Sequence, residues 1–201
     1  MSKTVDFIFD FGSPNAYLVH KVMADFKART GAEVNYIPCL LGGIFNATGN
    51  QAPMLAFANV PLKMAYENLE MQRFITRHQL TKFNMNPHFP VNTLMLMRGA
   101  IAAQKTAQLE AYIEAGVCAM WEDGLKMDDP KIYAKAFNDA GLDGDKLLES
   151  TQDPEVKAEL MSNTQRAIER GAFGIPTFFV GDEMFFGKER LGQVEEALAA
   201  L

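Results

Sequence analysis

Strand-forming sequence occurs at the two ends of this chain and is scarce in the long stretch between them. Residues 4–11 (TVDFIFDF) put Val5, Phe7, Phe9 and Phe11 on one face and Ile8 on the other, the pattern of a strand covered on both sides. The segment GSPNAYLVHKVMADFKARTG follows, with Tyr17, Leu18, Val22 and Phe26 at helical spacing, Ser13-Pro14 at its start and Gly31 at its end. Ser13 therefore falls at the mouth of the first helix. Glu33 to Pro38 reads as a second strand, so the opening is strand, helix, strand, which implies a parallel crossover. From Leu40 to about Ala172 the chain is rich in Ala, Met, Leu and charged residues, punctuated by Gly49, Pro53, Pro61, NPHFP, Pro130 and Pro154, and it is expected to be helical. The end, AFGIPTFFVGDEMFFGKERLGQVEEALAAL, returns to two short apolar strands around a Gly-Asp turn and closes on an amphipathic helix. The expectation is an α/β chain. One sheet domain is assembled from residues 1–40 and 172–201, with a flanking helix from about 152, and a helical insertion occupies residues 41–151.

Composition narrows the function classes. The chain has 201 residues, 48% of them hydrophobic, enough for a substantial core. A formal net charge of −6 and the lack of Lys/Arg runs argue against nucleic acid, whose phosphates demand clustered cations. No apolar run approaches the ~20 residues that span a bilayer, and the amino end alternates like a strand rather than a signal peptide, so a soluble protein with no membrane partner is expected. Cys39 and Cys118 stand far apart, which allows neither a C-x-x-C redox pair nor a metal cluster, and a reducing, cytoplasmic location fits them as buried, inert thiols. His20, His78 and His88 show no ligand spacing, so no metal is expected, and the sequon at Asn46 carries no meaning without a secretory signal. Met23, Met64, Met71, Met95, Met97 and Met120 read most simply as fillers of a helical core, and Trp121 and Phe45 as packing residues, with an apolar substrate cleft lined by them as the alternative.

Strand, Ser13-Pro14-Asn15-Ala16, helix is the place where a thioredoxin-like fold carries its C-x-x-C, here with Ser and Ala at the cysteine positions. Gly174-Ile175-Pro176-Thr177 before a late strand is where that superfamily places a cis-proline. With DFGSPNAYL, ATGNQAP, VPLKMAYENLEMQRF, HFPVNT and RGAFGIPTFFVGDEMFFGKERL in that order, nearly the whole chain resembles the 2-hydroxychromene-2-carboxylate isomerases and kappa-class glutathione transferases, the DsbA-like branch of the thioredoxin superfamily. The resemblance implies a thioredoxin-like sheet domain with a DsbA-like all-helical insertion, glutathione as cofactor, and a homodimer. It also implies that Ser13 holds the glutathione sulfur and that Asn50 and Lys63 line the thiol site. Lys63 would lie near the glycyl carboxylate or an acidic substrate. Ile175 would pair through its backbone with the cysteinyl unit beside Pro176, and Lys188 and Glu189 would meet the γ-glutamyl end. At these last two positions the family more often carries Ser or Asn, then Asp, so Lys188-Glu189 is a departure. Asn92, after HFP, would touch the substrate.

These residue types suit the chemistry on their own terms. A thiol with a reference pKa of about 8.5 needs roughly 2.7 kcal/mol of preference for its anion to ionise two units lower. A hydrogen bond to a charged partner contributes about 1.5–3 kcal/mol and a helix N-terminus ~0.3–1. A hydroxyl at a helix start reaches that range and, unlike a cysteine, is not consumed by oxidation. Three activities remain open: a glutathione-dependent isomerase acting on an aromatic carboxylate from aromatic-compound breakdown, a kappa-like transferase that leaves glutathione on an electrophile, and a non-catalytic glutathione- or peptide-binding protein. Structural roles compete at single positions. Ser13-Pro14 also suits a plain helix cap, Asn50 a turn, Lys63 a solvated helix face, Asn92 a cap for the helix that follows, and Glu189 a partner for a helix dipole.

Overall fold

The computed structural model describes residues 3–201, so Met1 and Ser2, at the edge of the expected amino-terminal strand region, lie outside it. In chain order the elements are β1 (Thr4–Phe9), α1 (Pro14–Thr30), β2 (Glu33–Pro38), α2 (Leu41–Thr48), α3 (Pro53–Ala56), α4 (Pro61–Arg77), α5 (Leu94–Lys105) and α6 (Leu109–Trp121). There follow α7 (Pro130–Asp139), α8 (Gly144–Ser150), α9 (Pro154–Glu169), β3 (Thr177–Val180), β4 (Glu183–Phe186), a 3-10 turn (Lys188–Arg190) and α10 (Leu191–Ala199). The four strands form one sheet in the order β2-β1-β3-β4. β1 and β2 are parallel and β3 and β4 add antiparallel, so strands from both ends of the chain meet in one sheet, as the sequence led us to expect. Eight helices separate its halves.

Aromatic residues lock the register. Phe7 stands opposite Phe178, which stands opposite Phe185, and the Phe7 and Phe178 rings lie 5.1 Å apart. All three are buried, as are Ile8 and Phe179 on the other face, so β1 and β3 are covered on both sides. α1 follows its expected signals: Ser13 caps it, Pro14 begins it, and Gly31 ends it at φ 67°, donating to the Lys27 carbonyl at 2.9 Å. Its buried face comprises Ala16, Tyr17, Leu18, Val19, Val22, Met23 and Phe26.

The strand expected to run to Phe11 stops at Phe9. Asp10 turns the chain instead, its carbonyl accepting from Ser13 N at 3.2 Å and its side chain from Gly12 N at 2.8 Å. Phe11 keeps a buried place by packing on α6, where a β-carbon at Gly116 would stand 2.5 Å from its ring. Trp121, fully buried, donates its indole N–H to the Phe11 carbonyl at 2.9 Å. The helical segment is thus fastened to the turn before Ser13.

Met23, Met97 and Met120 are core residues, whereas Met64, Met71 and Met95 are partly exposed. Cys39 is buried, and burial pushes its thiol up to about 12. Cys118 departs from expectation in being only half-buried. Its position on the outer side of α6 places it against Glu114 and Lys21, but burial and the Glu114 carboxylate still push the thiol up to about 12. Among the described residues no helix is long and apolar enough to cross a membrane, and no group of three or more potential metal ligands is found.

Candidate active site

Ser13 lies where the end of β1, the start of α1 and the loop before β3 meet. It is 4% exposed. Its Oγ accepts from Ala16 N at 3.2 Å, the cap bond of α1, and donates to the carbonyl of Ile175 at 2.9 Å. That second bond joins residues 162 apart in sequence. The Ile175-Pro176 peptide is cis, and the Pro176 carbonyl accepts from Gly187 N at 3.0 Å. Ser13, Ile175, Pro176 and the residue before Lys188 therefore form one connected group. The first turn of α1, Pro14-Asn15-Ala16-Tyr17, has no carboxylate, which leaves its N-terminal dipole free to favour an anion.

Lys188 and Glu189, expected at the start of the last helix, lie in the 3-10 turn that leads into it. Lys188 is 3% exposed, ion-paired with Glu189, and 6.0 Å from the Phe74 ring centre. Both line a cavity of about 670 Å³ between α1, α4 and α10, whose walls also carry Arg29, Glu70, Arg73 and Arg77. Charges of both signs in one groove suit a zwitterion better than a simple anion.

Asn50 and Lys63 are placed differently. Asn50 is exposed and uses its amide to donate to the Phe173 carbonyl at 2.7 Å, two residues before Ile175, while its Oδ1 accepts from Gln51 N. It reaches the edge of the serine group through the backbone rather than by facing Ser13. Lys63, on the exposed start of α4, lies 3.7 Å from Glu67 and 4.4 Å from the Phe57 ring centre, with no recorded contact to the serine group. Asn92 Oδ1 accepts from Leu94 N at 3.0 Å, so its observed contact is the local one that opens α5.

Two features escaped the sequence reading. Asp10 is fully buried. Its Oδ1 accepts from Gly12 N at 2.8 Å, its Oδ2 from Leu41 N at 2.7 Å, and the Thr93 hydroxyl donates a further bond. Burial pushes its carboxyl up to about 6 against the pull of those three bonds. An aspartate closing a strand looks like any turn former, and nothing local in the sequence reveals the distant Leu41 and Thr93. Asn15 Oδ1, two residues past Ser13, is buried without a hydrogen-bond partner, an unmet acceptor at the helix mouth.

Comparison with known proteins gives the family and the fold. Residues 4–199 match the family model described as a DSBA-like thioredoxin domain. The 2-hydroxychromene-2-carboxylate isomerase of Sphingobium xenophagum is 30% identical over 98% of this chain and 99% of its own length. Glutathione S-transferase kappa 1 of Homo sapiens is 26% identical over 95% of this chain and 88% of its own. A solved structure of a 2-hydroxychromene-2-carboxylate isomerase superposes with a TM-score of 0.82 at 27% identity, covering 98% of this chain and 95% of that one. A probable DsbA oxidoreductase from Streptomyces coelicolor, at TM-score 0.72 and 20% identity over 98% of this chain and 88% of that one, shares the fold. The chain belongs to the DSBA-like thioredoxin family, in the branch that holds the 2-hydroxychromene-2-carboxylate isomerases and the kappa-class glutathione transferases.

Proposed function

We propose that this protein is a glutathione-dependent isomerase of the 2-hydroxychromene-2-carboxylate type, acting in the cytoplasm on aromatic-degradation intermediates. The observation that carries the reading is the buried Ser13 hydroxyl, which accepts from Ala16 N–H at the start of α1 and donates to the carbonyl of Ile175, the residue before the cis-proline. Glutathione, when bound, supplies a nucleophilic sulfur that can add to an unsaturated acid and leave again. The fit of the site to such a tripeptide rests on three groups: a hydroxyl donor, a backbone carbonyl beside it, and the Lys188-Glu189 ion pair, joined to the proline loop through Gly187 N–H and the Pro176 carbonyl.

The residues act by exchanging bonds they already make. The Ser13 hydroxyl, released from the Ile175 carbonyl, turns to the sulfur, and that carbonyl accepts a peptide N–H in its place. Ala16 N–H, still donating to Oγ, strengthens the O–H as a donor. Together with the helix N-terminus this favours the anionic sulfur by about 2–3 kcal/mol. Lys188 and Glu189 take the carboxylate and ammonium of the γ-glutamyl end. Lys63 and Asn92 steer the substrate acid, and Asn50 holds the loop at Phe173 in place.

The division into a sheet domain (1–40 and 172–201) and a helical insertion (41–151) belongs to the same proposal, as does the homodimer. None of the 17 residues of α4 is buried, and Leu62, Tyr66 and Leu69 stand exposed on it beside charges of both signs. A two-fold interface needs a face complementary to itself, and this one offers apolar and oppositely charged groups together.

Incubation with 2-hydroxychromene-2-carboxylate, with and without glutathione, tests the reading. Accelerated isomerisation that requires glutathione and conserves it is expected. Absence of acceleration, or indifference to glutathione, overturns it. The likeness to the human kappa enzyme favours a second reading, transfer, which is distinguished by stoichiometric consumption of glutathione with a chlorinated aromatic acceptor.

A further inference from the structure

Three helices begin around one buried side chain. Asp10 accepts from Gly12 N, in the turn that enters α1, and from Leu41 N, the first residue of α2; Thr93, which precedes α5, donates its hydroxyl. The first turns of α1, α2 and α5 contain no acidic residue of their own. Gly12 lies between Asp10 and Thr93, since a β-carbon there would come into van der Waals contact, at 3.4 Å, with both Asp10 Oδ1 and Thr93 Cγ2. On the far side of Gly12 is Ser13, whose own N–H bonds the Asp10 carbonyl at 3.2 Å.

We infer that Asp10 is a positioning residue for the reaction: its carboxylate clamps the Gly12-Ser13 turn to the starts of α2 and α5, and so fixes the direction in which the Ser13 hydroxyl points. This deepens the isomerase reading and rests on it for its catalytic consequence, but the clamp itself is testable without any ligand. Both carboxylate oxygens are engaged as acceptors by backbone N–H groups. A proton on either oxygen replaces a charge-assisted bond with a weaker neutral one, and the clamp loosens at Gly12 or at Leu41. The carboxyl is held up to about 6 by burial, so the change falls in an accessible range. The ionisable groups packed nearby are Cys39, between β2 and α2, and Arg166 on α9, which acts on Cys39 in the opposite sense to Asp10. Cys39, pushed up to about 12, stays protonated throughout that range. Gly12, Leu41 and Thr93, in the turn, at the start of α2 and just before α5, contribute no ionisable group.

The molecule carries its own reporter. Trp121, the single tryptophan, donates its indole N–H to the Phe11 carbonyl at 2.9 Å, inside the same turn. Its fluorescence and indole proton resonance, followed from pH 8 to pH 5 in the ligand-free protein, are expected to titrate with a midpoint near 6. The titration should persist in Ser13→Ala and vanish in Asp10→Asn. In turnover, Asp10→Asn is expected to lower kcat at least ~10-fold while changing the KM for glutathione less, because a misdirected hydroxyl harms the reacting geometry more than the binding. A folded Asp10→Asn with wild-type kcat, or one that keeps the wild-type Trp121 titration, overturns the inference. Should Asp10→Asn fail to fold, Thr93→Val decides. Losing a bond that favours the carboxylate must raise the Trp121 midpoint and carry the acidic fall in kcat upward with it, and an unmoved midpoint overturns the clamp. Loss of glutathione-dependent turnover in the wild type, with the Trp121 titration intact, counts against the isomerase reading and leaves the clamp standing.

Discussion

The mouth of α1 and the arm formed by α3 and α4 contribute candidate residues to the same site but are built in opposite ways. Around Ser13 the chain is buried and densely bonded: the hydroxyl both donates and accepts, Asp10 uses both oxygens, and Trp121 pins the neighbouring carbonyl. None of the residues of α4 is buried, and Lys63 there holds a single exposed ion pair at 3.7 Å. Exposed pairs of that kind contribute less than about 1 kcal/mol, so they cannot fix a side chain for catalysis. Under the proposed function this difference is a division of labour: the half that would hold the sulfur is prebuilt, and the arm would gain its geometry from a second chain or a ligand.

The largest effect that would sharpen this contrast belongs to Ser13. Ser13→Ala removes the donor to the sulfur while leaving backbone and cis-proline in place, and kcat is expected to fall about 100-fold in an isomerisation assay. A loss under threefold would break the contrast. Next comes the cost of keeping the clamping carboxylate charged in its buried place. Asp10 has a folded pKa of about 6 against an ordinary 3.8, so the folded protein binds that proton more tightly than the unfolded chain does. Its contribution is therefore most favourable below pH 4 and is lost as pH rises through 6. The gap is worth about 3 kcal/mol. Urea unfolding of wild type and Asp10→Asn at pH 4 and pH 8 should show the wild type losing ground to the variant at the higher pH.

Lys188 should show an intermediate effect. It is buried and paired with Glu189, and Lys188→Met is expected to raise the KM for glutathione roughly 10-fold with kcat little changed, as removal of a ground-state contact does. The smallest effect belongs to the arm, where Lys63→Ala should raise the KM of the acidic substrate about 3-fold. Leu62→Glu, at a position 84% exposed in the single chain, should convert dimers to monomers in sedimentation and match the Lys63→Ala loss. Monomeric wild type, or an unaltered dimer in the variant, would show that the arm draws its geometry from something other than a second copy.

What could be read from the sequence follows the same line. The strands at both ends, the capped first helix and the Gly-Asp hairpin were legible because each rests on local signals: alternation, Ser-Pro at a helix start, Gly31 at its end. Ser13 and Pro176 could be paired only through resemblance, since 162 residues separate Ser13 from Ile175 and local pattern is silent across such a gap. Asp10 was missed for the same reason, because two of its three partners are 31 and 83 positions away in the numbering. The alternation runs on to Phe11 although β1 ends at Phe9, because burial of Phe11 against α6 mimics strand alternation. The half-exposure of Cys118 is hidden in the sequence because the hydrophobic run around it does not say which side of α6 faces outward.

Whether a hydroxyl at the start of α1 keeps a bound sulfur ionised is read directly by the ultraviolet absorbance of the thiolate. Titrating glutathione bound to the wild type should give a midpoint about two units below the free thiol, and bound to Ser13→Ala a midpoint close to the free value. Identical midpoints in the two proteins would contradict that role of the hydroxyl.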